Sequence, residues 1–146
     1  MPTTPYTLQR RVDRFRDQRW LIDKVIETVG PEFDQSRLQY YSAPMSPDHR
    51  GPVMGLKAAI HRWDDLTREF ARPARRYELQ ARTSLVQGHE LTAGDSFFSA
   101  SMMCGAAQWP FVANTGFNLT LERKKTDCYG DFTKFADRRI EAVEIP

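Results

Sequence analysis

Apolar residues recur at three- and four-residue steps over most of the chain, the spacing that holds one face of an α-helix against a core. Leu8, Val12, Phe15, Ile22, Ile26 and Val29 predict a first helix over residues 6–29, stopped by Gly30-Pro31. Pro31, Pro44, Pro47 and then Gly51-Pro52 predict a loop over 31–52, with one short helical turn at 33–40. Leu56, Ile60, Trp63 and Phe70 share a stripe that predicts a second helix over 53–70, which Pro73 ends or bends. Tyr77, Ala81 and Leu85 predict a third over 74–87, with Gly88 as its C′ residue.

Thr92 then has the chemistry of an N-cap, with Asp95 near the positive end of the helix that follows. That helix reads AGDSFFSASMMCGAAQW, with Phe97, Ala100, Cys104 and Ala107 as its inner stripe. Ala100, Ser101, Gly105 and Ala106 are small enough to let a neighbouring helix approach closely. Gly105 inside a helix costs about 1 kcal/mol relative to Ala, so close packing is the compensation expected there. Pro110 ends this helix, and a loop runs through Gly116. A last helix is predicted over 119–137, with Leu121, Cys128, Phe132 and Phe135 inward.

The remaining segment, RRIEAVEIP, places Val143 and Ile145 on one face and Glu144 on the other, the alternation of a strand. A lone strand leaves its backbone donors and acceptors unsatisfied, so its pairing partner is expected in a later part of the same polypeptide or in another chain. The expected fold class is all-α: an array of about five helices with one C-terminal strand. Three segments follow from this pattern: 1–52 as an N-terminal helix and Pro-rich loop, 53–137 as a helical domain, and 138–146 as the strand.

Composition narrows the function classes. The 146 residues suit one domain, and 40% are hydrophobic, enough for a core. Lys plus Arg number 21 against 19 Asp plus Glu, a near balance that argues against a nucleic-acid partner. In LQRRVDRFRDQRW, Asp13 and Asp17 interleave with the arginines, the pattern of a solvated helix face. No stretch has the length of apolar residues a membrane span needs, and the N-terminus shows no signal-peptide core; the expected setting is cytoplasmic. Cys104 and Cys128 fit no zinc spacing and read as buried thiols.

Candidate chemistry is sparse. No G-x-S-x-G elbow occurs, and Gly94-Asp95-Ser96 lacks the buried strand that a nucleophilic serine block needs, so Ser96 reads as an early helix residue. His49, His61 and His89 lie in separate segments without ligand-spaced partners and read as surface or capping histidines. No catalytic residue, metal ligand or cofactor site is assigned. Arg72, Arg75 and Arg76 flank Pro73 and read either as an exposed charged turn or as an anion site at the start of the third helix. Met102, Met103, Trp109 and Phe111 read either as core or as the wall of an apolar ligand pocket, since Met adapts to irregular shapes and aromatic rings cover flat ligands.

The blocks GHELTAGDSFFSASMMCGAAQWPF, CYGDFTKFAD and RRIEAVEIP, in this order, resemble the N-terminal helical region of FrsA-like α/β-hydrolases. The likeness rests on Gly88, Thr92, Ala93, Gly94, Ala100, Trp109, Pro110, Tyr129, Phe132, Ile140, Glu141, Val143, Ile145 and Pro146, and it covers roughly residues 56–146. In such enzymes the helical region is a cap over the sheet, helps form the substrate pocket and often supports a homodimer. The triad and oxyanion hole belong to an α/β-hydrolase domain that the terminal strand opens. The resemblance therefore implies a cap without catalytic residues. Its partner would be a C-terminal α/β-hydrolase domain, and its ligand an apolar small-molecule substrate of ester or carbon–carbon bond hydrolysis, aromatic or polyketide-like. Met102, Met103, Trp109 and Phe111 would be the substrate-binding residues. A different class is open to the same residues: 74–109 as a single helical hairpin with tetratricopeptide-like small residues at Gly88, Ala100 and Ala107, binding a protein or small ligand. Such repeats normally need about three copies, and no second is visible.

Overall fold

The computed structural model describes residues 5–144, and side chains from residue 9 onward. Leu8 as a packing residue and the Ile145-Pro146 end of the expected strand lie outside these limits. Seven α-helices and one 3-10 turn occur among the described residues. They are α1 (Pro5–Asp17), α2 (Arg19–Val29), α3 (Arg37–Ser42), α4 (Pro47–Met54), the turn Gly55–Ala59, α5 (Trp63–Val86), α6 (Glu90–Gln108) and α7 (Gly116–Phe132). The body is an antiparallel layer of α5, α6 and α7, with α6 in the middle and packed against both neighbours. The short helices α3 and α4 close one side of α6 and α5, and α2 reaches the start of α5.

The all-α class is observed, and the terminal strand is not. Residues 139–144 are neither helix nor strand. No backbone–backbone hydrogen bond extends beyond the one from Phe135 to Phe132, 2.9 Å, among the described residues. Alternation alone cannot form a strand without a ladder partner, and none lies beside this segment.

The expected first helix is two, broken at Gln18 (φ −97°, ψ 6°). The break lets both pieces meet the same residue. Phe15 of α1 lies 5.3 Å from the Trp63 ring, while the Trp63 backbone N–H donates to Asp23 of α2 at 2.8 Å. Of the second expected helix only the part from Trp63 is in α5, which runs on through Pro73 into the third; residues 53–62 instead finish α4, form the 3-10 turn and end in an extended link at Ile60. Pro73 removes an i→i−4 hydrogen bond at a cost of about 3 kcal/mol. Its surroundings outweigh that cost, because Phe70, Ala71, Ala74 and Tyr77 bury a continuous face on both sides of it.

The end of α5 is as expected. Gly88 adopts φ +75°, and the His89 N–H reaches the Ser84 carbonyl at 2.8 Å while the Gly88 N–H reaches Leu85 at 3.0 Å. This is a Schellman closure, for which a left-handed glycine is the natural residue. The turn feeds directly into α6, so the helix begins at Glu90 with His89 as N-cap, and Thr92 lies inside the first turn instead of capping it. α7 begins at Gly116, three residues before the expected start, because the Thr115 hydroxyl accepts the Asn118 N–H at 3.1 Å.

The inner stripe of α6 is buried as expected at Phe97, Ala100, Cys104 and Ala107. Burial also includes Ala93, Ser96, Ser99, Met103 and Ala106, since a middle helix has two faces to cover. Its close approach occurs at a different glycine from the one expected. A Cβ on Gly105 would meet only the Lys125 Cδ at 3.6 Å, an ordinary contact, whereas one on Gly94 would lie 2.9 Å from the Phe135 Cβ. Gly94 thus admits the turn that follows α7.

Candidate functional site

The four residues expected to wall a pocket have different surroundings, though all belong to or pack against one core. Met103 is fully buried in the core. Met102 is half-buried and packs on that core. Trp109, at the C-terminal end of α6, belongs to a stack: its ring lies 5.2 Å from Trp63, and the Arg37 guanidinium sits 3.8 Å from its centroid on the way from α3. The Asp34 carboxylate holds Arg37 through both oxygens. The Trp63 Nε1–H donates to the Pro110 carbonyl at 3.0 Å. This stack fastens α1, α3, α5 and α6 together, so Trp109 serves the fold in the described chain.

Phe111 alone of the four lines an open groove. Its ring meets Phe117 edge-on at 6.2 Å between centroids. Asp64, Thr67, Arg68, Ala71, Arg72 and Arg75 of α5 complete the lining of a space of about 610 Å³. The arginines fall at i, i+4 and i+7 of one uninterrupted helix, so they stand in a row. Sequence reading split that helix at Pro73 and so placed Arg72 and Arg75 at a turn; no helix starts there, which removes the helix-terminus version of an anion site. With α5 read as continuous, the spacing of the three arginines is a signal the sequence carries.

The acidic side chains beside this row are already engaged. Glu69, only 4% exposed, accepts from Arg68 Nε at 3.0 Å on one oxygen and pairs with Arg72 at 3.3 Å through the other. Asp65 accepts the backbone N–H groups of His61 and Arg62, both at 3.0 Å, and Arg68 Nη2 at 2.8 Å. Burial pushes the Asp65 carboxyl up, but these donors outweigh it and hold the group below the usual aspartate value. Asp64 pairs with Arg19 at 2.6 Å. Arg75 has no acidic partner among the described residues.

A nucleophile–base contact also exists, inside the core. His49 Nδ1 lies 2.8 Å from Ser99 Oγ, and the Tyr77 hydroxyl donates to the His49 carbonyl at 3.0 Å with the two rings 4.4 Å apart. His49 is therefore buried, where a surface or capping role was expected; its partner is fifty positions away, and no local pattern announces it. Burial holds the imidazole below the ordinary histidine value; Asp95 and Asp48 pull the other way, and Arg76 reinforces the depression. Ser99 is fully buried, as is Ser96, whose Oγ has no partner among the described residues. A serine sealed from solvent cannot receive a substrate carbonyl, so the pair ties α4 to α6.

No family model, curated protein or solved structure matches this chain. Cys104 and Cys128 are buried free thiols, raised by desolvation to about 11 and about 12 respectively. No cluster of three or more His, Cys, Asp or Glu side chains suited to a metal ion occurs among the described residues. No helix there is long and apolar enough to cross a membrane.

Proposed function

We propose that this chain is the helical cap of an FrsA-like α/β-hydrolase. In this reading it shapes and dries a pocket over a nucleophile carried by a separate α/β domain. The observation that carries the reading is the state of residues 139–144. After Phe135 packs against Gly94, this backbone makes no hydrogen bond to the helical body among the described residues, and Val143 is 75% exposed. Unpaired backbone carrying an exposed apolar side chain has the chemistry of a sheet edge in need of a neighbour. A cap excludes water so that charge developing on an attacked carbonyl meets fixed dipoles. Phe111 lines the groove, and in this reading the ligand is an apolar molecule of ester or ketone type.

The test is turnover of a chromogenic ester by the chain alone and by the chain joined to an α/β-hydrolase domain. The chain alone is expected to be inactive, and the joined protein active, with Val143→Asp reducing that activity by disturbing the docked edge. Turnover by the chain alone that vanishes in a Ser99→Ala variant would overturn the proposal. The rival reading, a free-standing helical binding module, predicts that adding the α/β domain changes nothing.

A further inference from the structure

We infer that the groove between α5 and the Phe111–Phe117 pair binds an aryl carboxylate, its anionic end on Arg72 and Arg75 and its ring against the two phenylalanines. Three independent features place these chemistries side by side. The first is the buried Glu69, which pins Arg68 and Arg72 through separate oxygens and leaves the second Nη and the Nε of Arg72 uncommitted. A guanidinium paired at one nitrogen with a buried carboxylate keeps its other donors free and biased toward the groove, so less side-chain freedom is lost on binding. The second is charge. Asp64, Asp65 and Glu69 each have a cationic partner, so the groove keeps one unmatched positive group, the Arg75 fork. Paired arginine donors match the two oxygens of a carboxylate better than any neutral acceptor.

The third feature is the apolar wall. Phe117 remains 43% exposed beside the half-buried Phe111, with the rings edge-on. A ligand ring set against them gains stacking contact and removes apolar surface from water. Phe117 is the second residue of the seventeen-residue α7, so the positive end of that helix borders the same groove. Thr67 adds a hydroxyl to the lining. A cationic ligand would find no free carboxylate here, and a purely aliphatic one would leave the arginines unused.

This places on the face that the cap reading assigns to substrate the acid that hydrolysis of an aryl ester releases, not the ester itself, and so rests on the cap reading while adding an anionic ligand to it. Binding is a property of the helical chain alone, whereas the cap reading is tested by turnover, so either can fail without the other. The experiment titrates the full chain with phenylacetate, phenylacetamide and phenethylamine. Tryptophan fluorescence reports, because Trp63 donates to the carbonyl next to Phe111. Saturable binding is expected for phenylacetate, at least about tenfold tighter than for the amide or the amine, and weakened by added salt. Arg75→Ala and Phe117→Ala, both at exposed positions, should each weaken it by about tenfold, Arg75→Lys by less. The exposed Arg123→Ala on α7 should leave it unchanged. Absence of saturation, equal binding of the amine, or an Arg75→Ala variant that folds and binds as tightly as the parent would each overturn the inference.

Discussion

Two glycines of one helix should respond differently to the same substitution. Ala in place of Gly inside a helix gains about 1 kcal/mol when the added methyl has room. At Gly105 the new Cβ would meet only the Lys125 Cδ at 3.6 Å, the movable end of a long side chain, so Gly105→Ala should stabilise by nearly that amount. At Gly94 the new Cβ would lie 2.9 Å from the Phe135 Cβ and 3.6 Å from its Cγ. Those atoms are held close to the main chain, and the Phe135 N–H is fixed to the Phe132 carbonyl at 2.9 Å. Overpacking of this kind costs about 1–3 kcal/mol, which cancels or exceeds the propensity gain. Gly94→Ala should therefore be about 1–3 kcal/mol less stable than Gly105→Ala. Urea unfolding followed by circular dichroism measures both, and Phe135→Gly completes a double-mutant cycle. In the Phe135→Gly background the penalty at Gly94 should disappear. If Gly94→Ala and Gly105→Ala stabilise equally in the parent chain, the turn after α7 does not pack on α6 as described.

Three further outcomes follow from the buried groups. An unfolded histidine gains its proton as pH falls through 6.5, while burial holds His49 below that value; stability present above pH 6.5 should thus be lost on acidification. His49→Gln should flatten that part of the profile, and an unchanged slope would exclude His49 as its source. Cys104 and Cys128, with thiols raised to about 11 and about 12, should resist alkylation in the folded chain and react together on unfolding; mass spectrometry reads the extent, and rapid labelling under native conditions would contradict their burial. Trp109→Ala should cost about 3 kcal/mol by dismantling the stack with Trp63 and Arg37, whereas Phe111→Ala at the open groove should cost about 1 kcal/mol. Equal losses in thermal unfolding would mean the two aromatics do not differ in role.

Local signals were readable where their partners are also local. The Gly88 closure, the inner stripe of α6 and the helix stop before Pro110 all depend on residues within a turn or two. Tertiary packing overrides local preference at Pro73, where burial on either side carries α5 through a residue that would end an isolated helix. That misjudged break also hid the arginine row. Contacts between distant positions leave no trace in spacing: Ser99 gives no hint of His49, nor Gly94 of Phe135. The two methionines illustrate the converse limit. Adjacent residues on a helix point about 100° apart, and here Met103 is fully buried while Met102 is only half-buried. The expected strand shows a further limit, since alternation is a property of one segment and pairing is a property of two.

The middle helix of the layer carries consequences beyond its own residues. Alanine, serine, glycine and cysteine fill most of its covered positions, so its girth, more than that of α5 or α7, sets how far apart the outer helices stand. A bulkier side chain there must widen the seam on its side, or on both when it sits between them. Diversification of this protein should therefore be concentrated on the outer pair, with α6 acting as the gauge to which they are fitted.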